Sequence, residues 1–390
     1  MALKGQVALV TGASRGIGRG IALQLGEAGA TVYVTGRSEQ AKASTPNFEL
    51  PSLEQTAREV TARGGNGIAV HCDHSNPHDI EELFARIRTE QHGQLDILVN
   101  NAYAAVTAIQ SSAGKKFYET DPNTTWDVVN NVGLKNHYLC TVYGARLMVP
   151  RGSGLIVMIS SFGGMNYLFN VAYGIGKAAC DRLAADAAME LADQKVTSVS
   201  LWPGAVKTEI IQKTVLRQDS TSNLKALFEH GESTEYVGKA IVALASDPNH
   251  FDKTGRILTT EGLAKEYKFV ERDGSTPSSD PAIQAIRDKY LEHLNAIRAP
   301  KIQAVLRGGG PALAVPGRSG DSSVFFARLL RRRENGGGVD ETVAPTYPAS
   351  SYPTFIGEKI AWVDEMRKTG RLWRPVFSSR PRARTKPSSP

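Results

Sequence analysis

The sequence is poor in cysteine, in long apolar runs and in clustered metal-ligating side chains, and each scarcity closes off a class of protein. Its three cysteines, Cys72, Cys140 and Cys180, are scattered along 390 residues and none belongs to a C-x-x-C pair. Neither a disulfide framework nor a zinc site is expected, no metal is assigned, and a reducing compartment is the default. No run reaches the roughly 18 apolar residues of a spanning helix. The opening MALKGQVALV passes from one lysine straight into a strand-like run. It has no apolar h-region with a small-residue cleavage site, so no secretory signal is expected. Strong charge is also missing from most of the chain. Beyond residue 298 lie 16 of the 46 basic and 7 of the 39 acidic residues, which leaves 30 and 32 in the body. The net charge of +7 therefore belongs to the tail, and the body does not read as a nucleic-acid surface.

What is present is alternation. QVALVTG, TVYVTGR, GIAVHCD, LDILVNNA, GLIVMISS, VTSVSLWPG and GRILTT are short, β-branched and bounded by turn residues, as strands buried on both faces should be. Helix-length segments lie between them, such as 19–28 and 80–91, the latter with Ile80, Leu83, Phe84 and Ile87 at helical spacing. Strand–helix alternation with right-handed crossovers predicts an α/β fold: a doubly wound, Rossmann-type parallel sheet of about seven strands over residues 1–263. Two segments break the rhythm: an enlarged loop at 38–55, interrupted by Pro46 and Pro51, and an irregular insert at 107–125. A C-terminal extension at 264–298 carries one more amphipathic helix at 282–297. The Gly-, Pro-, Ser- and Arg-rich stretch at 299–390 reads as a basic low-complexity tail.

The stretch TGASRGIG follows the first strand and opens a helix, with Gly12, Gly16 and Gly18 spaced G-x-x-x-G-x-G. Glycines there allow a tight turn and a close approach to a pyrophosphate at the helix N-terminus. A plain strand-to-helix turn would use the same residues. Tyr173 and Lys177 stand four apart and share one helix face, where an ammonium beside a phenol stabilises the phenolate. Alone, that pair is common enough to be an ordinary surface Tyr and Lys.

Taken together, TGASRGIG, NNAY after the fourth strand, ISS after the fifth, YGIGK opening the next helix and PGAVKT after the sixth resemble, in order and spacing, the short-chain dehydrogenase/reductase family. The resemblance covers residues 5 to 263. It implies hydride exchange between a nicotinamide dinucleotide and a carbonyl, with Tyr173 as general acid, Lys177 beside it and Ser161 holding the substrate carbonyl. Ser160 competes with Ser161 for that role. The family also uses an asparagine in the helix after Trp126. Here an ungapped count places Gly133 at that position, and Asn130 and Asn131 are the nearest asparagines, with Asn131 taken as the substitute if the kink shifts. Tyr103 replaces the glycine of the usual NNAG. Its ring either folds over the cofactor and substrate mouth or, the reading preferred, packs under the 107–125 insert.

For the cofactor, Gly36 ends the second strand where NAD-selective members carry an acidic residue. Arg15 and Arg37 are placed to meet a 2′-phosphate dianion, unless Arg37 is merely a solvated strand-end arginine. NADP(H) is therefore the expected cofactor. By the same resemblance its contacts are Gly12, Ser14, Arg15, Gly16, Ile17 and Gly18 in the turn, Arg37, Asp73 and Asn100, Thr208, and Tyr173 with Lys177. An NADP(H)-dependent carbonyl reductase for steroid-like or xenobiotic ketones and aldehydes is the leading expectation, with a non-catalytic NADPH-binding sensor or scaffold as the alternative. The expected partners are a small carbonyl substrate and further copies of the chain, not nucleic acid. The expected placement is intracellular, cytoplasmic or associated with the endoplasmic reticulum.

Overall fold

The computed structural model describes residues 1–38, 50–112, 114–217, 223–277 and 281–306; the side chains of 110, 111, 223, 224 and 297–306 are not described. Most of the enlarged loop after the second strand and all of the chain past 306 therefore lie outside the described residues. Seven strands form one sheet: β1 (Val7–Val10), β2 (Thr31–Gly36), β3 (Asn66–His71), β4 (Ile97–Asn100), β5 (Gly154–Ile159), β6 (Val196–Trp202) and β7 (Ile257–Thr259). All pair in parallel, in the order β3-β2-β1-β4-β5-β6-β7. β1, β4, β5 and β6 are buried along their whole length, whereas edge strand β3 is mostly half-exposed. Central strands with helices on both faces have no polar side.

The helices are α1 (Gly16–Glu27), α2 (Leu53–Ala62), α3 (Pro77–Glu90), α4 (Val106–Ser111), α5 (Pro122–Asn130), α6 (Asn136–Met148), α7 (Val171–Leu191), α8 (Glu209–Ile211), α9 (Asn223–Glu229), α10 (Thr234–Ser246), α11 (Thr260–Tyr267) and α12 (Pro281–Leu306). Successive strand residues serve opposite faces. Ala8 and Val10 join α1, α2, α10 and α11 in one apolar core, while Val7 and Leu9 join α3, α6 and α7 in the other. Local sequence sets the helix starts: Ser52, Asn76, Asp121 and Asn170 each accept a hydrogen bond from a first-turn amide.

The 107–125 insert is less irregular than its sequence suggests. α4 and a 3-10 turn at Phe117–Glu119 occupy part of it, and Asp121 with Pro122 starts α5. Helix α12 begins where the extension predicted one and continues to Leu306, so residues 298 and 299 fall inside it. Leu291 packs with Trp202 and Ile257, and Arg287 pairs with Glu261 of α11 at 2.8 Å.

The strand order reverses direction between β1 and β4, which pair directly. In an open parallel sheet the crevice beyond the carboxyl ends of such neighbours is where ligands bind. The glycine turn after β1, the NNAY segment after β4 and the serines after β5 all open there.

Candidate active site

The glycine turn is braced from the β4 side. Asn101 Nδ2 donates to the carbonyl oxygens of Thr11 and Gly12, at 2.8 and 3.0 Å. The amides of Asn101 and Ala102 both donate to Thr11 Oγ1. Gly12 has φ +66°, and a Cβ there would stand 2.7 Å from Ala102 Cα, so two independent constraints demand glycine. Asn101, which the sequence reading passed over, is thus the clamp. Asn100 has its side chain in the core, where Nδ2 donates to Thr141 Oγ1 at 3.0 Å. Its Oδ1 is buried without a partner among the described residues.

Around the turn, Ile17 packs on the core and Thr208 lies against Gly16. The Gly16 amide donates to Glu209 Oε2 at 2.8 Å. Burial and the nearby charge of Arg37 pull the Arg15 guanidinium below its ordinary range, with Glu209 acting the other way. Two arginines that repel each other in a half-buried crevice form a site an anion would relieve. Burial pushes the Asp73 carboxyl up, but hydrogen bonds from Ser75 and the charge of Arg37 outweigh it and hold it below the usual carboxylate range. Arg37 thus lies within electrostatic reach of both Arg15 and Asp73. At Gly36 a Cβ would meet Ser14 and Leu53 at ordinary contact distances, 3.4 Å and beyond. The backbone there leaves room for a Cβ. Turn, arginine pair and open strand end together fit a phosphate-bearing dinucleotide.

The second half of the site gathers at β5 and α7. Ser160 is buried and donates to the Lys177 carbonyl at 3.0 Å, a structural bond to the helix. Ser161 is half-exposed at the strand end and accepts from the Gly163 amide at 2.9 Å. Ser161 and Tyr173 both close on Gly163: a Cβ on it would stand 2.5 Å from the Tyr173 ring and 3.3 Å from Ser161 Oγ. The two hydroxyl-bearing side chains thus meet at one glycine. Lys177 is buried, its Nζ donating to the Ile159 carbonyl at 3.0 Å and lying 5.9 Å from the Tyr173 ring centroid. Phe169 meets the Tyr173 ring edge-on, with centroids 5.0 Å apart.

The helix after Trp126 is broken where a kink was expected, but not by an asparagine. A π-turn spans Asn131–Lys135, with Val132 (φ −112°, ψ 93°) and Gly133 (φ 151°, ψ −18°) outside helical geometry. Asn131 keeps helical geometry at the end of α5. The asparagine that reaches α7 is instead Asn130, which donates to the Ala172 carbonyl at 3.3 Å. Another, Asn136, accepts from the Gly133 amide at 2.7 Å and so caps the break. The Gly133 carbonyl accepts from Cys180 Sγ at 3.2 Å, and burial pushes that thiol up to about 11.

Tyr103 meets the insert, as preferred, and the site as well. It shares a small apolar cluster with Ile109 of the insert, yet Tyr173 belongs to the same cluster. Its ring meets that of Tyr173 edge-on at 6.2 Å and lies 4.9 Å from Lys177 Nζ. It therefore lines the site itself, pulled there by the space left at Gly133. Nearby His137 bonds the Ala102 carbonyl at 3.1 Å. Burial first, and then Lys177, lower its pKa to about 3, so it is a neutral buried strut.

A doubly wound sheet with a glycine turn at its reversal point and a Tyr–Lys pair beside it defines a nicotinamide-dependent oxidoreductase of the Rossmann class. The chain belongs to the short-chain dehydrogenase/reductase family: residues 6–219 match its short chain dehydrogenase description. Members of this family use nicotinamide cofactors. The chain is 51% identical over 277 residues to "Dehydrogenase/reductase SDR family member 1" of Mus musculus, covering 70% of this chain and 85% of that one. It is 31% identical over 262 residues to "3-oxoacyl-[acyl-carrier-protein] reductase" of Synechocystis, covering 67% and 97%. Among solved structures it resembles a mutant of a Serratia marcescens short-chain dehydrogenase/reductase. That likeness has 25% identity and a TM-score of 0.55, over 66% of this chain and 97% of that one.

Proposed function

We propose that the protein is an NADP(H)-dependent carbonyl reductase that converts a ketone or aldehyde to the alcohol, reversibly. The observation that carries this reading is the convergence of Ser161 and Tyr173 on one glycine, Gly163, with the Lys177 ammonium over the Tyr173 ring. When bound, the reduced nicotinamide supplies hydride to the carbonyl carbon. The Ser161 hydroxyl donates to the carbonyl oxygen and fixes its position. As charge develops on that oxygen, the Tyr173 O–H bond breaks and its proton passes to it. The phenolate left behind sits beside the fixed Lys177 charge, which stabilises it until solvent returns a proton. Ser160 takes no part, since its hydroxyl is committed to the α7 backbone.

For the cofactor, Gly36 removes the carboxylate that would repel a 2′-phosphate, while Arg15 and Arg37 offer it charge. Gly12, Ser14, Gly16, Ile17 and Gly18 would hold the pyrophosphate, Asp73 the adenine, Thr208 the nicotinamide amide and Lys177 the ribose. The name of the Synechocystis relative, a reductase acting on a 3-oxoacyl group, supports carbonyl reduction. The test is a panel of aromatic ketones, quinones, steroid ketones and aldehydes, followed by NADPH absorbance. Tyr173→Phe should leave NADPH binding intact and lower turnover by about 10²-fold or more. A Tyr173→Phe protein that turns over at the wild-type rate refutes the mechanism. Tight cofactor binding with no turnover on any carbonyl refutes the activity.

A further inference from the structure

Tyr103 and Gly133 lie thirty residues apart in sequence and meet in space. A Cβ on Gly133 would stand 2.5 Å from Tyr103 Cδ2 and 2.7 Å from Cε2, and φ of +151° already restricts the position to glycine. The room left by that glycine is filled by the tyrosine ring. The segment carrying the ring is fixed on both sides. The Ala102 carbonyl is held by His137, and the Ala104 amide donates to the Val132 carbonyl at 3.2 Å, inside the helix break. A clamped aromatic face presented to a buried ammonium at 4.9 Å is a cation–π contact in surroundings where such contacts are strongest. The Tyr103 hydroxyl, in contrast, is buried without a hydrogen-bond partner among the described residues. No hydrogen bond among the described residues holds the hydroxyl, and what the ring presents to Lys177 is its face.

We infer that Tyr103 is a positioning residue for Lys177: its ring seats the ammonium against the Tyr173 phenol. The inference rests on reading Tyr173 and Lys177 as the acid pair. The Lys177 ammonium donates to the Ile159 carbonyl and lies against two tyrosine rings, at 4.9 and 5.9 Å. Weakening the nearer ring lets the charge drift from the second, and the Tyr173 phenolate loses its counter-charge. The Tyr173 ionisation should therefore move to higher pH.

The test uses the full chain with tyrosine labelled at the ζ-carbon with ¹³C, the Tyr173 resonance being assigned by its loss in Tyr173→Phe. Position 103 is replaced by phenylalanine and by its mono-, di- and pentafluorinated analogues, which keep the ring's shape while draining its negative face. Tyr103→Phe should keep the wild-type ionisation midpoint of Tyr173 and melt no lower, since it removes an unpaired buried hydroxyl. Fluorination should raise the midpoint stepwise, by about half a pH unit or more at five fluorines. Tyr103→Leu should move it the same way. Should Leu fail to fold, the fluorinated series still decides. A midpoint indifferent to fluorination overturns the inference and leaves Tyr103 as packing; a shift in Tyr103→Phe equal to that in the pentafluoro protein overturns it too. Because this readout needs no substrate, a graded shift in a protein inactive on every carbonyl would sink the proposed activity and leave the positioning role standing.

Discussion

Glu232 offers the sharpest test of the energetics around the loop after β6. It pairs with Val206 in an isolated parallel bridge just before α10, and its carboxyl group is almost wholly buried. Oε1 accepts from the Gly204 amide and from Thr260 Oγ1 at 3.0 Å, joining the loop after β6 to the start of α11. Oε2 has no partner among the described residues. Burial, aided by the charges of Glu271 and Glu261 and opposed by the two hydrogen bonds, raises the pKa from 4.5 to about 7. A carboxyl group that binds its proton more tightly when folded stabilises the protein fully below 4.5, and that stabilisation is lost as pH rises through about 7. At about 1.4 kcal/mol per pH unit, the loss between pH 5 and 8 is roughly 2–3 kcal/mol. Glu232→Gln keeps the acceptor for Gly204 and Thr260 and removes the ionisation. Urea unfolding of both proteins at pH 5 and pH 8 isolates the effect, because contributions from the buried, neutral His74 and His137 cancel in the difference. Glutamine should gain on glutamate by roughly 2–3 kcal/mol between the two pH values, equivalent to several degrees in Tm. A difference that is the same at both would refute the burial argument.

The parts of this molecule that rest on local pattern are legible in its sequence. All seven strands fall where short β-branched runs stand between turn residues, because a strand buried on both faces must be continuously apolar. The glycine turn and the Tyr173–Lys177 spacing are local patterns too. What escaped the sequence is set by contacts across the fold. Asn100 and Asn101 are identical in type, and only the pairing of β1 with β4 decides that the second clamps the turn while the first enters the core. Asn131 looked like a substitute for the absent asparagine, but the break falls at Val132 and Gly133, one and two residues later, which leaves Asn131 in the helix before it. Tyr103 packs against Ile109 of the insert, as its sequence suggests, but also against Tyr173. Its direction depends on an empty position thirty residues downstream, and no local periodicity carries that information. Glu209 on the Gly16 amide is likewise a contact across 193 residues.

Three further outcomes follow from the same geometry. Gly36→Asp adds a Cβ at ordinary contact distances and a negative charge next to Arg37 in sequence, so the preference for NADPH over NADH should fall at least tenfold, about 1.4 kcal/mol; an unchanged ratio of dissociation constants would remove Gly36 from the cofactor argument. A chain ending at Leu306 should melt like the full chain, whereas one ending at residue 280 should melt several degrees lower, since it uncovers Trp202 and Ile257 and strips Glu261 of Arg287; equal melting of the two shortened chains would show that α12 adds nothing to the body. The last concerns Glu209. Its carboxylate occupies the Gly16 amide at the N-terminus of α1 and compensates Arg15, so it competes with dinucleotide phosphate for the same donor and the same charge. Glu209→Gln keeps the side chain's size and removes the competing charge. It should tighten NADPH binding severalfold at low salt, and the gain should shrink as salt screens the half-exposed crevice. The same substitution takes a neutralising partner from Arg15 in the free protein, so free Glu209→Gln should melt slightly lower even as its complex melts higher. Binding that weakens instead would mean that Glu209 holds the loop in its ligand-ready position and does not compete for the phosphate.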